Sequence, residues 1–302
     1  MVIKPSPINK RGEKIGILSP SSPIKDKELK NGIDLIRKEG FSVELSKNIF
    51  SSYRLSYMAG SPEKRAEDIN SFFLRKDIKA IICVRGGYGS MRILEYIDYE
   101  LIRKNPKIFV GYSDVTAILS AILERSNLLT FHGPMIKDLI SLDPMYLRQF
   151  WDMLRGKYRE EIRLEDAYTV VPGKAKGILF GGNLSTISHL IGTQFLPSLR
   201  NIVLFLEDVN EPYYKIDRMI THLRLSGFFE NVRGLILGIF KGCGKMDIIE
   251  KIVLDIISEL RIPILSRFHI GHLEKNTILP IGIKVELDSE KRSIRFLEKP
   301  FR

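Results

Sequence analysis

Two predominantly apolar runs, IKAIICV (78–84) and KIFVGY (107–112), each pass into a helical pattern through only a few small or polar residues. An apolar run without alternation is what a strand needs when both of its faces are covered. Such strands belong to parallel sheets, because crossover helices then lie on both faces. The rest of the first half repeats the unit. KIGILSP (14–20) is a short strand, and DKELKNGIDLIRKEG (26–40) carries Leu29, Ile33 and Ile36 at helical spacing before a closing Gly40. FSVEL is the next strand. Ser61 and Pro62 then open a helix as N-cap and first helical residue, with Ala66, Ile69 and Phe73 as its apolar stripe. SMRILEYI and VTAILSAILERS read as the helices that follow the two long runs.

The alternation stops around RLEDAYTVVPGKAKG (163–177), where charges, proline and glycine cluster. A boundary near residue 165 divides the 302 residues into 1–165 and 166–302, and that length suits about two domains. The second part reads as a smaller mixed α/β domain. Strands NIVLFLEDV and GLILGIF alternate with helices KIDRMITHLRLSG and MDIIEKIVLDIISEL, and IKVELDSEKRSIRFL closes as a hairpin.

Composition narrows the function classes. The 47 Lys and Arg against 36 Asp and Glu leave a net charge of +11. These charges are scattered and mixed in sign, as in KDKELK and SPEKRAED, which read as solvated helix faces. No basic stripe interleaved with aromatics is present, so no nucleic-acid partner is expected. Cys83 and Cys243 lie in or beside apolar strands, away from any CxxC, as buried thiols of a reducing compartment do. There is no HExxH or Cys/His cluster, so neither a metal nor a cofactor is expected. The N-terminal MVIKPSPINKRGEKIGILSP has no signal-peptide apolar core, and no stretch reaches the roughly 18 apolar residues of a membrane span. The expectation is a cytoplasmic, soluble protein with no membrane partner.

KIFVGYSDVTAIL (107–119) raises a geometric question, since strand gives way to helix with almost no room to turn. A serine at such an apex matches a nucleophile elbow, with the amides of the following helix aimed at the same place. Val115 stands where the usual elbow has glycine, and Ser113 reads equally well as an N-cap. RGGYG (85–89) occupies the corresponding loop after the neighbouring buried strand, opening at the same sheet edge. It lacks GxGxxG and the Walker lysine, so it suits an oxyanion or carboxylate cradle better than a nucleotide.

A serine nucleophile needs a base, and the base an orienting acid. Among the five histidines, His222 and His189 read as surface or packing residues, His132 could line the cleft, and His269 and His272 sit in a glycine-containing loop at a strand end. Glu207 and Asp208 follow a buried strand directly, where a carboxylate requires a partner. Neighbours on a strand face opposite ways, so only one of the two can meet the base.

The blocks RGGYG, GYSDVTAIL, FHGP, GGNLSTISHLIGT, LFLEDVNEPYYKIDRM and GHLEKNTILPIG, in this order between residues 85 and 282, resemble those of the LD-carboxypeptidase family of serine peptidases; GILSPSSP near the start fits too. The resemblance implies a flavodoxin-like N-terminal domain with a parallel sheet, followed by a distinct C-terminal domain. It implies a Ser-Glu-His triad of Ser113, Glu207 and His272. It also implies an oxyanion hole from the amides of Asp114 and of Gly87, with Gly86 as the neighbouring candidate. Leu273 departs from the small residue often found after that histidine. The implied reaction releases the C-terminal D-alanine of a cytoplasmic murein tetrapeptide, with a homodimer as the expected assembly. The rivals are the microcin-immunity branch, which cleaves aminoacyl–nucleotide conjugates, and a non-catalytic murein-peptide-binding protein. Microcin-immunity relatives tend to be longer, and the short stretch between GGNLSTISHLIGT and NIVLFLED leaves little space for a nucleotide loop.

Overall fold

The computed structural model describes residues 2–302. Its strands form two sheets. The first half supplies β1 (Lys14–Leu18), β2 (Ser42–Leu45), β3 (Ile78–Cys83), β4 (Ile108–Gly111) and β5 (Thr130–His132). The remainder supplies β6 (Glu161–Arg163), β7 (Tyr168–Val171), β8 (Lys174–Asn183), β9 (Ile202–Val209), β10 (Val232–Lys241), β11 (Ile264–Ser266), β12 (Leu279–Ile281), β13 (Lys284–Asp288) and β14 (Ser293–Phe296).

The first sheet has the order β12-β5-β4-β3-β1-β2. Its five strands from the first half are parallel in the flavodoxin-like order 2-1-3-4-5. As the two apolar runs require, β4 and the C-terminal part of β3 are buried throughout. Phe73 of the helix Pro62–Leu74 stacks on Phe109 of β4, with centroids 6.0 Å apart. The Ser61 side chain accepts from Lys64 N–H and caps that helix as expected. SMRILEYI is the exception among the expected helices. Ser90–Tyr96 is 3₁₀ rather than α-helical: the chain enters it from Gly89 at φ +117°, and Arg92 N–H bonds three residues back to Gly89.

The second sheet has the order β6-β14-β13-β8-β9-β10-β11-β7, with β8 to β11 parallel at its centre and antiparallel strands outside them. The expected hairpin is the β13–β14 pair. This sheet has more strands than the first, although fewer residues follow position 165 than precede it. The sheets also exchange material. Strand β12 comes from the second half and closes the first sheet, antiparallel to β5, with Leu279 opposite His132. The loop from β11 to β12 therefore begins in one sheet and ends in the other.

Candidate active site

The turn after β4 is tighter than a standard loop. A Cβ on Gly111 would lie 2.4 Å from a Val115 methyl, so glycine is required at the strand end. The room an elbow usually gains from a glycine after the serine is thus found before it, which accommodates Val115. Ser113 has φ +61°, a left-handed conformation that costs a non-glycine residue about 1–3 kcal/mol. One 3₁₀ turn, Ser113–Val115, leads into the helix Thr116–Ser126. The Ser113 side chain caps neither element; its Oγ meets His272 Nε2 at 3.1 Å.

His272 lies in the loop joining the two sheets. Its Nδ1–H donates to Glu207 Oε2 at 2.8 Å, which leaves the Nε2 lone pair for the Ser113 hydroxyl. Glu207 is fully buried at the end of β9. Space for this pair is cut by glycine: a Cβ on Gly271, at φ +116°, would come within 2.7 Å of Glu207 Oε2. Asp208 faces the other way, accepting from Asn183 Nδ2 and from the Ser185 amide, both at 2.9 Å. Neighbouring carboxylates thus serve separate networks, as strand alternation requires.

The glycine-rich loop lies against Ser113. A Cβ on Gly86 would stand 2.9 Å from Ser113 Cβ and 3.0 Å from its Oγ. Gly87, at φ +118°, packs on Ser22, whose Oγ accepts from Tyr88 N–H at 3.2 Å. The amides of Gly87 and Asp114 enter no turn or loop hydrogen bond among the described residues. The Asp114 carboxylate accepts from Ser90 N–H at 2.8 Å and ties the loop to the elbow.

Sequence reasoning missed the residue that organises this loop. SPEKRAED reads as a solvated face, yet Arg65 within it is 1 % exposed, and Asp68 is buried against Ser46 and Asn48. The Arg65 guanidinium donates to the carbonyls of Pro20, Gly60 and Gly89, joining three loops at the sheet edge. Burial lowers its pKa despite the charge of Asp114. The signal available was the apolar stripe itself: Arg65 adjoins Ala66 and precedes Ile69 by four positions, a helical spacing.

Burial alone would lower the His272 pKa. The charge and hydrogen bond of Glu207, with Asp138 and Asp208 farther away, outweigh it and hold His272 above its ordinary value. His132 responds in the opposite sense. It is completely buried rather than lining the cleft, with its ring 5.0 Å from Phe205 and 5.7 Å from Tyr112. Burial pushes it down to about 4 despite the Glu207 charge, so it is neutral at physiological pH. Asp208 is pushed up to about 6 by burial and by Glu207, against the hydrogen bonds it accepts.

The other histidines lie in separate networks. His269 bonds to the Tyr146 hydroxyl through Nδ1 and to Asp166 through Nε2. His222 pairs with Ser188, and the exposed His189 with the Ser185 carbonyl. Both cysteines are buried and free. Among the described residues, no group of three or more His, Cys, Asp or Glu side chains is arranged to hold a metal, and no helix is long and apolar enough to cross a membrane.

Comparisons with known proteins agree with this architecture. Residues 15–133 match the LD-carboxypeptidase N-terminal domain, and residues 176–287 match the LD-carboxypeptidase C-terminal domain. A probable murein peptide carboxypeptidase of Bacillus subtilis is 35% identical over 301 residues, covering 96% of this chain and 93% of its own. The solved microcin C7 self immunity protein MccF in complex with aspartyl sulfamoyl adenosine superposes with a TM-score of 0.91 at 25% identity, over 99% of this chain and 100% of its own. A muramoyltetrapeptide carboxypeptidase from Oxalobacter formigenes gives 0.78 at 28% identity, over 93% and 97%.

Proposed function

The chain belongs to the LD-carboxypeptidase family of serine carboxypeptidases, and on that premise we propose that it hydrolyses the L-to-D amide releasing the C-terminal D-alanine of murein tetrapeptides, in cytoplasmic cell-wall recycling. The observation that carries the reading is the continuous path Glu207–His272–Ser113, with contacts of 2.8 and 3.1 Å and the serine on a strained elbow.

In this reading His272 Nε2 takes the hydroxyl proton as Ser113 Oγ attacks the carbonyl of the residue before D-alanine. Glu207 holds the tautomer in which Nε2 is free and offsets the charge of the imidazolium that forms. The tetrahedral oxyanion turns toward the amides of Gly87 and Asp114, Gly86 bringing the loop close enough to do so. Collapse expels D-alanine, its amine protonated by His272, and leaves Ser113 acylated. Water, deprotonated by the same imidazole, then releases the shortened peptide.

A second reading is favoured by the TM-score of 0.91 with MccF: cleavage of an aminoacyl–nucleotide conjugate. Against it, the connection from Leu190 to Ile202 is short and leaves little space for the extra loop expected of that branch. Purified murein tetrapeptide and an aminoacyl–nucleotide conjugate, each incubated with the protein, separate the readings. Free D-alanine from the first supports the murein assignment. Turnover of the second alone assigns the chain to the immunity branch, and turnover of neither leaves a peptide-binding role.

A further inference from the structure

Two hydrogen bonds leave one freedom of the His272 ring unrestrained. Glu207 fixes Nδ1 and Ser113 contacts Nε2, but the imidazole can still roll about the line joining those nitrogens. Something must hold its plane if Nε2 is to stay aligned with Oγ.

The neighbour in position to do so is Tyr112, just before Ser113. Its ring is 4 % exposed and lies 4.9 Å from the His272 ring at 58°. On another side it meets His132, 5.7 Å away at 66°. Tyr112 is itself anchored: its hydroxyl donates to Asp138 Oδ1 at 3.1 Å, while Asp138 Oδ2 accepts from Met135 N–H at 2.9 Å. We propose that Tyr112 and Asp138 are positioning residues for His272, the tyrosine ring fixing the plane of the imidazole and Asp138 fixing the tyrosine while adding a second carboxylate charge to that of Glu207.

The surrounding charges are consistent with this role. The groups acting on His272 are Glu207, Asp138 and Asp208, and the neutral His132 lies beyond Tyr112. Asp138 is in turn influenced by Tyr112 and Lys137, and Tyr112 by Asp138, Glu207 and Arg85. Burial raises the Asp138 carboxyl, and the bonds from Met135 and Tyr112 oppose that rise by favouring the ionised form.

The inference rests on reading His272 as the base, so the test has one arm that does not use turnover. The His272 titration is followed by NMR in full-length, histidine-labelled protein, alongside kcat and KM on murein tetrapeptide. Asp138→Asn keeps an acceptor for Tyr112 and removes the charge. The His272 midpoint should then fall by about half a pH unit, and the acid limb of kcat/KM should move with it. Tyr112→Leu should lower kcat roughly 10- to 100-fold with KM little changed, the signature of a misaligned base. Tyr112→Phe should restore most of kcat by restoring the ring. It should also move the His272 midpoint downward, because Asp138 loses a bond that favours its ionised form. That variant decides the charge role if Asp138→Asn fails to fold. An unmoved midpoint in the folded variants, or a phenylalanine variant as impaired as leucine, overturns the proposal. A wild-type protein that cleaves no tetrapeptide yet shows the midpoint shifts removes the murein reading and leaves the positioning roles standing.

Discussion

The Ser113 side and the His272 side of the cleft are built by different means. On the first, backbone does most of the work: Gly111 admits the turn, Ser113 itself is left-handed, Gly86 presses on its side chain, and Arg65 holds the loops by their carbonyls. On the second, side chains do it. A buried carboxylate at the end of β9 meets an imidazole in a loop between sheets, and burial, charge and hydrogen bonding set the protonation of that imidazole. One half is a matter of shape, and the other of electrostatics. Errors of shape should therefore lower activity with little effect on its pH dependence, while errors of charge should alter both.

The sharpest break is Ser113→Ala, which removes the proposed nucleophile and leaves the left-handed φ as it was. Turnover of tetrapeptide should fall about 10⁴-fold or more with the melting temperature little changed. Substantial residual turnover would mean that the elbow is not the reacting centre. Next comes the pair on β9. Glu207→Gln should lower kcat about 10³- to 10⁴-fold with little change in KM, because a neutral amide cannot offset the imidazolium charge. Asp208→Asn should cost a few-fold at most in kcat, its effect appearing in stability through the Asn183 and Ser185 bonds. Paired kinetics on the two variants check this, and the reverse ranking would redraw the triad around Asp208.

Gly86→Ala tests the shape side alone. Its methyl would crowd Ser113 Oγ, and activity should drop about 10²-fold, comparable with losing an oxyanion donor, while the acid limb of the pH profile stays in place. A shifted limb would mean that the two sides are less separable than proposed. The wild-type limb itself has a definite sign. On the proposed mechanism His272 must be neutral to accept the serine proton, and its pKa is raised, so kcat/KM should decline with falling pH from a midpoint above the ordinary histidine value. A midpoint below the ordinary histidine value would contradict the balance in which Glu207 outweighs burial. The smallest expected effect is that of chelation. EDTA should leave turnover unchanged, and loss restored by zinc would rule out the serine mechanism.

The shape side was the more legible in sequence. Continuous apolar runs identified β3 and β4, and glycine and serine at their ends marked the turns, because backbone conformation leaves a local trace. Even there, Arg65 went unread: its place on the apolar stripe was the signal, but the mixed charges of SPEKRAED gave it the look of a solvated face. On the charge side, alternation along β9 separates Glu207 from Asp208 but does not say which of them meets a histidine. Choosing His272 over His269 needed the family resemblance, because both sit in the same loop and only folding sends one toward Glu207 and the other toward Tyr146. Nor did local pattern identify the partner of β12, a three-residue strand paired with a segment far earlier in the chain.

That short strand has a consequence for the life of the molecule. The segment bearing His272 is pinned at its far end when Leu279–Ile281 pairs with β5, a strand from far earlier in the chain. A nascent chain on the ribosome can complete the earlier strands and the elbow before this segment emerges, and until then the proposed nucleophile has no seated base. A polypeptide truncated ahead of this segment would lack the proposed base. On the proposed mechanism, a copy that has not yet reached Leu279–Ile281 cannot attack peptides while it waits to be completed or cleared.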